Sequence, residues 1–412
     1  MTTRLRDDRP VPGLVTLADV QAARDLLAGI ARDTPLEGSR ALAAEAGGPV
    51  WLKCENLQRT GSFKIRGAYV RIARLTDAER ARGVVAASAG NHAQGVALAA
   101  SLLGARATVF MPEGAALPKV TATQAYGADV RLVGATIEQS LAAATVFAAE
   151  TGAAFIHPFD HPDVIAGQGT VGLEIAEHLP DVRSVVVSAG GGGLASGVAV
   201  AVKALVPEAR VVAAQAAGAA TWPLSLAAGR PTPLTAMSTM ADGIAVGAPG
   251  DVTFAHMQAL VDDVVVVSEE SLARAVVHCL ERAKLVVEPA GAAGVAALMD
   301  GLEVVPPVAI VLSGGNVDPL LIDKLIRRGL VAAGRYLSLR VAVPDVPGSL
   351  ARVLEVLAKT GANVLDVEHL RTQADLALDH VEVALRLETR GPTHCDAVVA
   401  ALSGAGWEPR SG

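Results

Sequence analysis

Aromatic side chains are scarce. Phe, Trp and Tyr together make up 3% of the 412 residues. A chain this poor in rings has no platform for stacking nucleic-acid bases. Cysteine is also rare, with Cys54, Cys279 and Cys395 far apart and no CxxC pair. That excludes a disulfide framework or a cysteine zinc cluster and points to a reducing compartment. Basic charge is not in excess. Lys and Arg number 35 against 42 Asp and Glu, for a formal net charge of -7. A nucleic-acid or anionic-membrane surface would need clustered Lys and Arg. The first ten residues, MTTRLRDDRP, contain no apolar run, so no targeting leader is expected and the expected location is the cytoplasm. One uncharged stretch, Ser184–Val202, has the length of a membrane span, but five glycines and three serines interrupt it. It reads better as strand, tight turn and helix.

What the chain does have is apolar content, 51% of residues. That suffices for a large core and excludes disorder as the main state. The length suggests two or three domains. Thr16 can cap a helix running to Ile30, and Ala41–Ala46 reads as another. Short β-type runs then alternate with helical ones. Val50–Cys54, Val84–Ala87, Ala107–Met111, Asp129–Val133, Ser184–Ser188, Val211–Ala214 and Val308–Leu312 read as strands. This alternation predicts α/β architecture: doubly wound, mostly parallel sheets with helices on both faces. After about Arg335 the order becomes β-α-β-β-α, with a short last strand at Trp407–Arg410 and Ser349 as cap of the first helix. That is a ferredoxin-like α+β unit of about 75 residues. The expected division is a catalytic region 1–334, with a smaller subdomain at about 51–157 nested in it, and a separate unit 335–412.

In doubly wound folds ligands sit at the carboxyl ends of strands, so the loops there carry the functional argument. Gly190–Gly193 stands between a strand and a helix, where backbone N–H groups can cradle an anion. The next strand ends in Gln215 and not in an acid, and no GK[ST] follows. A lone phosphate therefore fits better than a dinucleotide or ATP, which disfavours a nicotinamide oxidoreductase. Lys64 in TGSFKIRGA is a Schiff-base candidate if buried, and a surface lysine otherwise. SAGNHAQG, from Ser88 to Gly95, opens a helix where a carboxylate is stabilised, while His92 reads as a structural histidine. Ser313 in SGGN follows another strand. Glu288 in VVEPAGAAG begins a helix and is explained by the helix dipole. His157, Asp160 and His161 lack metal-ligand spacing and read as a polar loop.

Four strand-end loops in this order, SFKIRGA, SAGNHAQG, SAGGGGL and SGGN, resemble those of fold-type II pyridoxal-phosphate enzymes, in particular the threonine dehydratase (threonine ammonia-lyase) and serine racemase branch. The resemblance spans about Leu14 to Val331 and implies the tryptophan-synthase-β-like fold. It implies pyridoxal 5'-phosphate held by Lys64 as a Schiff base, with Phe63 against one face of the ring and Gly243 near the other. It implies that Asn91 bonds the ring hydroxyl and Ser313 the ring nitrogen. Gly190, Gly191, Gly192, Gly193 and Leu194 would hold the phosphate. Ser88, Ala89, Asn91 and His92 would form the loop that receives the substrate carboxylate. Racemases of this branch use a serine as second base at the position of Ala89, so elimination is expected over racemisation. No metal is expected, because Gln215 stands where metal-binding members carry an acid.

The tail, PDVPGSLARVLEVLAKTGANVLDVEHL, resembles an ACT domain, a small amino-acid-sensing module. This implies an effector site around Pro347, Gly348 and Asn363. The expected activity is β-elimination of water from L-threonine, and from L-serine as well, giving 2-oxobutyrate or pyruvate and ammonia after hydrolysis, by a homodimer or homotetramer under amino-acid control. The alternatives are a dehydratase or racemase for another β-hydroxy amino acid, such as serine or 3-hydroxyaspartate, and a non-catalytic amino-acid sensor.

Overall fold

The computed structural model describes residues 13–371, 377 and 379–411. The first ten residues, read above for a leader, lie outside them. The chain divides into two compact units at Pro319/Leu320.

The first unit holds two sheets. The larger runs in the order Leu36–Gly38, Val50–Lys53, Val308–Val311, Ser184–Ser188, Arg210–Ala216 and Asp263–Val267. Only the first pair is antiparallel. The smaller sheet is wholly parallel, in the order Asp129–Leu132, Ala107–Met111, Val84–Ala87 and Ala154–Phe155. The doubly wound expectation therefore holds. Val50–Lys53 pairs in the larger sheet, so the smaller sheet begins at Val84. Central strands such as Ser184–Ser188 and Val308–Val311 are buried along their whole length, as strands covered on both faces must be.

Local chemistry sets the helix ends. Thr16 and Asp19 form a reciprocal capping box at the start of helix Leu17–Leu27. The helices Pro162–His178 and Gly193–Leu205 pack backbone to backbone. A Cβ on Gly197 would lie 2.4 Å from Ile165 O and 2.5 Å from Gly169 N. Only glycine permits that approach. The helix Gly193–Leu205 starts where the expected strand-turn-helix places it, and among the described residues no helix is long and apolar enough to cross a membrane.

Beneath the helix Lys64–Ala73 lies a buried ion cluster with no local sequence signature. Arg66 is 1% exposed and forks to Glu55 Oε1 and Oε2 at 2.8 and 2.9 Å. It also reaches Glu174 Oε1 and Oε2 at 2.5 and 2.9 Å. Thr170 Oγ1 and Arg32 O accept from it at 3.0 Å each. Lys53, fully buried, pairs with Glu174 at 2.5 Å and donates to Thr34 O at 2.6 Å.

The second unit begins with the helix Pro319–Ala332, apart from its first residue. Its antiparallel sheet runs in the order Asn363–Leu370, His380–Glu388, Tyr336–Pro344 and Arg410–Ser411. With the helices Ser349–Thr360 and Pro392–Gly404 this is the expected ferredoxin-like order. The cap of the first of these helices is Gly348, in the left-handed region at φ +89°, and not Ser349. A left-handed glycine leading straight into the helix displaces the serine by one position. Leu339, Val341, Val353, Leu357, Leu385 and Leu402 fill one core. Leu385→Ala should lower the stability of this unit by about 2–5 kcal/mol. Amide exchange across strand His380–Glu388 reads that loss, and unchanged protection there would contradict this account of the core.

Candidate active site

The four loops SFKIRGA, SAGNHAQG, SAGGGGL and SGGN all follow parallel strands of the first unit at their carboxyl ends. Lys64 opens its helix after the strand Val50–Lys53 and the turn Glu55–Leu57. Its side chain is half-buried, and its Nζ donates to Pro158 O at 2.9 Å. The same atom lies 5.1 Å from the centre of the Phe63 ring. Desolvation lowers the Lys64 pKa to about 8, against the opposing pull of Glu288. A lysine turned inward onto Pro158 O departs from the surface-lysine alternative.

The Gly190–Gly193 loop faces the residue next to Pro158. A Cβ on Gly191 would lie 2.4 Å from the Phe159 ring. Gly192 sits at φ +93° at the start of helix Gly193–Leu205, and no side chain caps that start. Its uncapped N–H groups are the donors an anion needs. Trp222 Nε1 donates to Gly190 O at 2.6 Å and closes the loop from outside. Leu194 is buried behind it.

Ser313 is buried at the end of strand Val308–Val311, and its Oγ accepts from Ser188 Oγ at 3.0 Å. Its carbonyl accepts from Phe63 N at 3.2 Å, which ties the SGGN loop to the lysine loop. Ser62, the residue before Phe63, is fully buried, and its Oγ has no partner. A buried hydroxyl left unpaired beside these loops suits a site built to receive a polar group.

Ser88 Oγ accepts from Gly90 N at 3.2 Å, and Ala89 follows it. Asn91 is the first residue of helix Asn91–Leu102. Its Nδ2 donates to Glu288 Oε1 at 2.6 Å, and its Oδ1 accepts from Asn316 Nδ2 at 2.8 Å. Gly243 lies beside this pair: a Cβ there would be 3.4 Å from Glu288 Oε1 and 3.9 Å from Asn91 Nδ2. His92 is buried, with Nε2 2.8 Å from Ile156 O. Desolvation and then Lys64 lower its pKa to about 3, so it stays neutral and structural.

The polar side chains of two loops are bonded to backbone, and one residue departs from its reading. His157 Nδ1 accepts from Asp160 N at 2.7 Å, Asp160 Oδ1 from Thr253 N at 3.0 Å, and His161 Nδ1 from Asp163 N at 3.1 Å. All three are occupied with backbone. Gln215 Oε1 likewise accepts from Trp222 N at 3.0 Å. Among the described residues no group of three or more His, Cys, Asp or Glu is arranged to hold a metal. Glu288 departs from its helix-dipole explanation. It is the N-cap residue of helix Pro289–Met299, yet its side chain makes no cap bond and turns into the site. Glu288 and Asn316 complete the site although neither was assigned a role from the sequence. Their contacts to Asn91 span 197 and 225 positions, which no local pattern encodes.

In the second unit, Pro347 and Gly348 line a cavity of about 310 Å³ together with Asp345, Ser349, His369 and Arg371. Asn363 is not among its walls. It starts the edge strand, and its Nδ2 donates to Glu388 Oε2 at 3.2 Å. A wider cavity of about 860 Å³ in the first unit, walled by Ser39, Arg40 and Arg282 among others, contains none of the residues around Lys64.

Two α/β layers with a half-buried amine, an uncapped glycine loop and paired hydroxyls at their strand ends define an enzyme with its site at the mouth of parallel sheets. Comparison with known proteins narrows the class. The pyridoxal-phosphate dependent enzyme family matches residues 27–314, and the ACT domain matches residues 337–389. An L-threonine ammonia-lyase of Thermotoga maritima is 48% identical over 96% of this chain and 99% of its own. An L-threonine ammonia-lyase of Geobacter sulfurreducens is 46% identical over 94% and 97%. The structure of maize serine racemase superposes with a TM-score of 0.72 at 37% identity, covering 77% of this chain and 98% of that one. The chain belongs to the pyridoxal-phosphate dependent enzyme family and carries a C-terminal ACT domain.

Proposed function

We propose that the protein is an L-threonine ammonia-lyase that also accepts L-serine, working as a cytoplasmic homo-oligomer, dimer or tetramer. One observation carries the site: Lys64, the Gly190–Gly193 loop and Ser313 converge at strand ends, with the lysine's pKa lowered to about 8. The relatives named above, alike over nearly the whole chain, support the substrate.

In this reading Lys64 holds the cofactor's aldehyde, and the N–H groups of Gly190–Gly193 with Leu194 hold its phosphate. Phe63 and Gly243 flank the ring, Asn91 donates to its hydroxyl and Ser313 meets its nitrogen. When bound, pyridoxal phosphate supplies an electron sink for charge at the substrate Cα. The remaining work falls to side chains. Lys64 Nζ, neutral once released, takes the Cα proton. Ser88, Asn91 and the start of helix Asn91–Leu102 receive the substrate carboxylate, where the helix dipole favours an anion. Ser313 is an uncharged partner and does not hold a proton on the ring. Ala89 offers no hydroxyl to return a proton to Cα from the opposite face. Loss of the β-hydroxyl is therefore favoured over racemisation, and the products are a 2-oxo acid and ammonia.

The test is release of 2-oxo acid from the purified protein with L-threonine, L-serine and D-serine. Release of 2-oxobutyrate from L-threonine is expected. A yellow protein that turns over none of the three would refute the substrate, and one without colour would refute the cofactor. Formation of D-serine from L-serine at a rate comparable to elimination would refute the role given to Ala89.

The amine's lowered pKa gives a pH prediction. Only neutral Lys64 can attack an aldehyde, and lowering its pKa raises the neutral fraction near pH 7. The rate at which added pyridoxal phosphate forms its visible band with the apoprotein should climb through pH about 8 and then level. A rate still climbing steeply above pH 9.5 would mean an ordinary lysine.

The 310 Å³ cavity supports amino-acid regulation through the second unit. It pairs Asp345 with Arg371 across 3.2 Å, and the backbone turn at Pro347 and Gly348 forms one wall. Charges of both signs suit the two ends of a free amino acid.

A further inference from the structure

Glu288 is a carboxyl around which the site is built. It is 3% exposed and leaves the start of its own helix uncapped. Room for it is made by two glycines from separate loops. A Cβ on Gly314 would come within 2.3 Å of Glu288 Oε1, and one on Gly243 within 3.4 Å. Its backbone N donates to Gly314 O at 3.0 Å. One of its oxygens accepts from Asn91 Nδ2 at 2.6 Å.

The hydrogen-bond chain beyond Asn91 has a fixed sense. Thr60 O can only accept, so Asn316 must present its amide nitrogen there, at 2.6 Å. That nitrogen's second hydrogen goes to Asn91 Oδ1, at 2.8 Å. Asn91 must then turn Nδ2 away from Asn316 and towards Glu288. An ionised carboxylate is also an acceptor only, so the two ends of the chain agree. One Nδ2 hydrogen is used by Glu288 and the other remains free.

We propose that Glu288 is a positioning residue that locks the amide of Asn91 so that its free Nδ2 hydrogen is offered to the bound cofactor, and that its charge stabilises a proton on the cofactor's linkage to Lys64. This rests on the functional reading above. Desolvation, then Asp242, raise the carboxyl pKa to about 7, while Asn91, Lys119 and Lys64 oppose the rise. The charged groups facing it are therefore Asp242, Lys119 and Lys64. Lys119 and Asp242 themselves form an ion pair. The charge on Glu288 is poised to respond to a cation beside it.

The experiment uses the full chain and two variants, Glu288→Gln and Glu288→Ala, with added pyridoxal phosphate as the probe. Affinity is read from a titration of the apoprotein. The pH midpoint of the visible band is read without substrate. Glu288→Ala removes the acceptor and should weaken cofactor binding by about tenfold or more, the worth of one charge-assisted hydrogen bond. Glu288→Gln keeps an acceptor oxygen and should bind within about threefold of the parent. Without the negative charge its band midpoint should move to lower pH by about half a unit or more. Circular dichroism checks folding, and the near-isosteric glutamine keeps the test valid if the alanine variant unfolds. An unshifted midpoint in Glu288→Gln overturns the proposal, as does equal loss of affinity in both variants or parent-like binding by Glu288→Ala. A parent protein that binds no cofactor overturns the functional reading and this proposal with it. A parent that binds, with variants that match it, overturns the proposal alone.

Discussion

Replacing Lys64 by alanine should leave a folded protein that no longer shows the cofactor's covalent absorbance and turns over threonine more than about 1,000-fold more slowly. Two functions are lost together in that variant. The covalent attachment goes, and so does the amine that removes the Cα proton. Proton transfer by a placed side chain alone contributes about 10²–10⁴-fold. The helix that Lys64 opens should survive, because its buried face is made by Ile65, Arg66, Gly67, Ala68, Val70 and Ile72. Deleting one partly desolvated amine is expected to cost the fold little, so the loss is chemical. The measurement is a pair of spectra with and without borohydride, followed by a steady-state assay. A variant within tenfold of the parent rate would remove Lys64 from the mechanism.

The largest expected loss of stability is at Arg66. Arg66→Met should cost about 3–5 kcal/mol, because it strands two buried carboxylates. The intact cluster is not a large net source of stability, since burying the charges offsets much of their attraction. The cost lies in breaking it. Glu55 is fully buried and would keep only its bond from Thr34 Oγ1, at 2.5 Å. Glu174 would keep Lys53. Functionally, Arg66 stands two residues after Lys64 and ties that helix to Glu55 in the preceding turn and to Glu174 on helix Pro162–His178. Denaturant titration of the first unit measures the effect. Unfolding within about 1 kcal/mol of the parent would mean that the carboxylates are solvated or protonated at little cost.

The elements that sequence reading located are those with a strong local signal. The apolar runs Val84–Ala87, Ser184–Ser188 and Ala107–Met111 appear with the same bounds as read, because nearly every position in them is buried and the run stands out against its polar flanks. The small strands Leu36–Gly38 and Ala154–Phe155 have two or three residues and no pattern of their own. Sheet neighbours define them. The same divide runs through the site. Lys64, Asn91, the glycine loop and Ser313 stand in short motifs with their own composition. Glu288 and Asn316 acquire their roles only when remote loops meet, and Arg66 lay unremarked inside the lysine motif. Asn363 shows the opposite case. It lies in a recognisable motif, but its side chain pairs with Glu388 along the sheet and does not face the cavity.

The strand Val308–Val311 lies in the middle of the larger sheet, between Val50–Lys53 and Ser184–Ser188. It is among the last parts of the first unit to be synthesised. Until it emerges, those two neighbours have no common partner, and the apolar faces beneath them cannot be sealed. Closing the sheet needs pairing across nearly the whole unit, a slow kind of contact to form. During synthesis a nearly complete first unit therefore carries an open seam through its centre, and a chaperone's best opportunity to bind falls in that interval. Ser313 follows that strand directly, so the seam closes and the site is completed in one event.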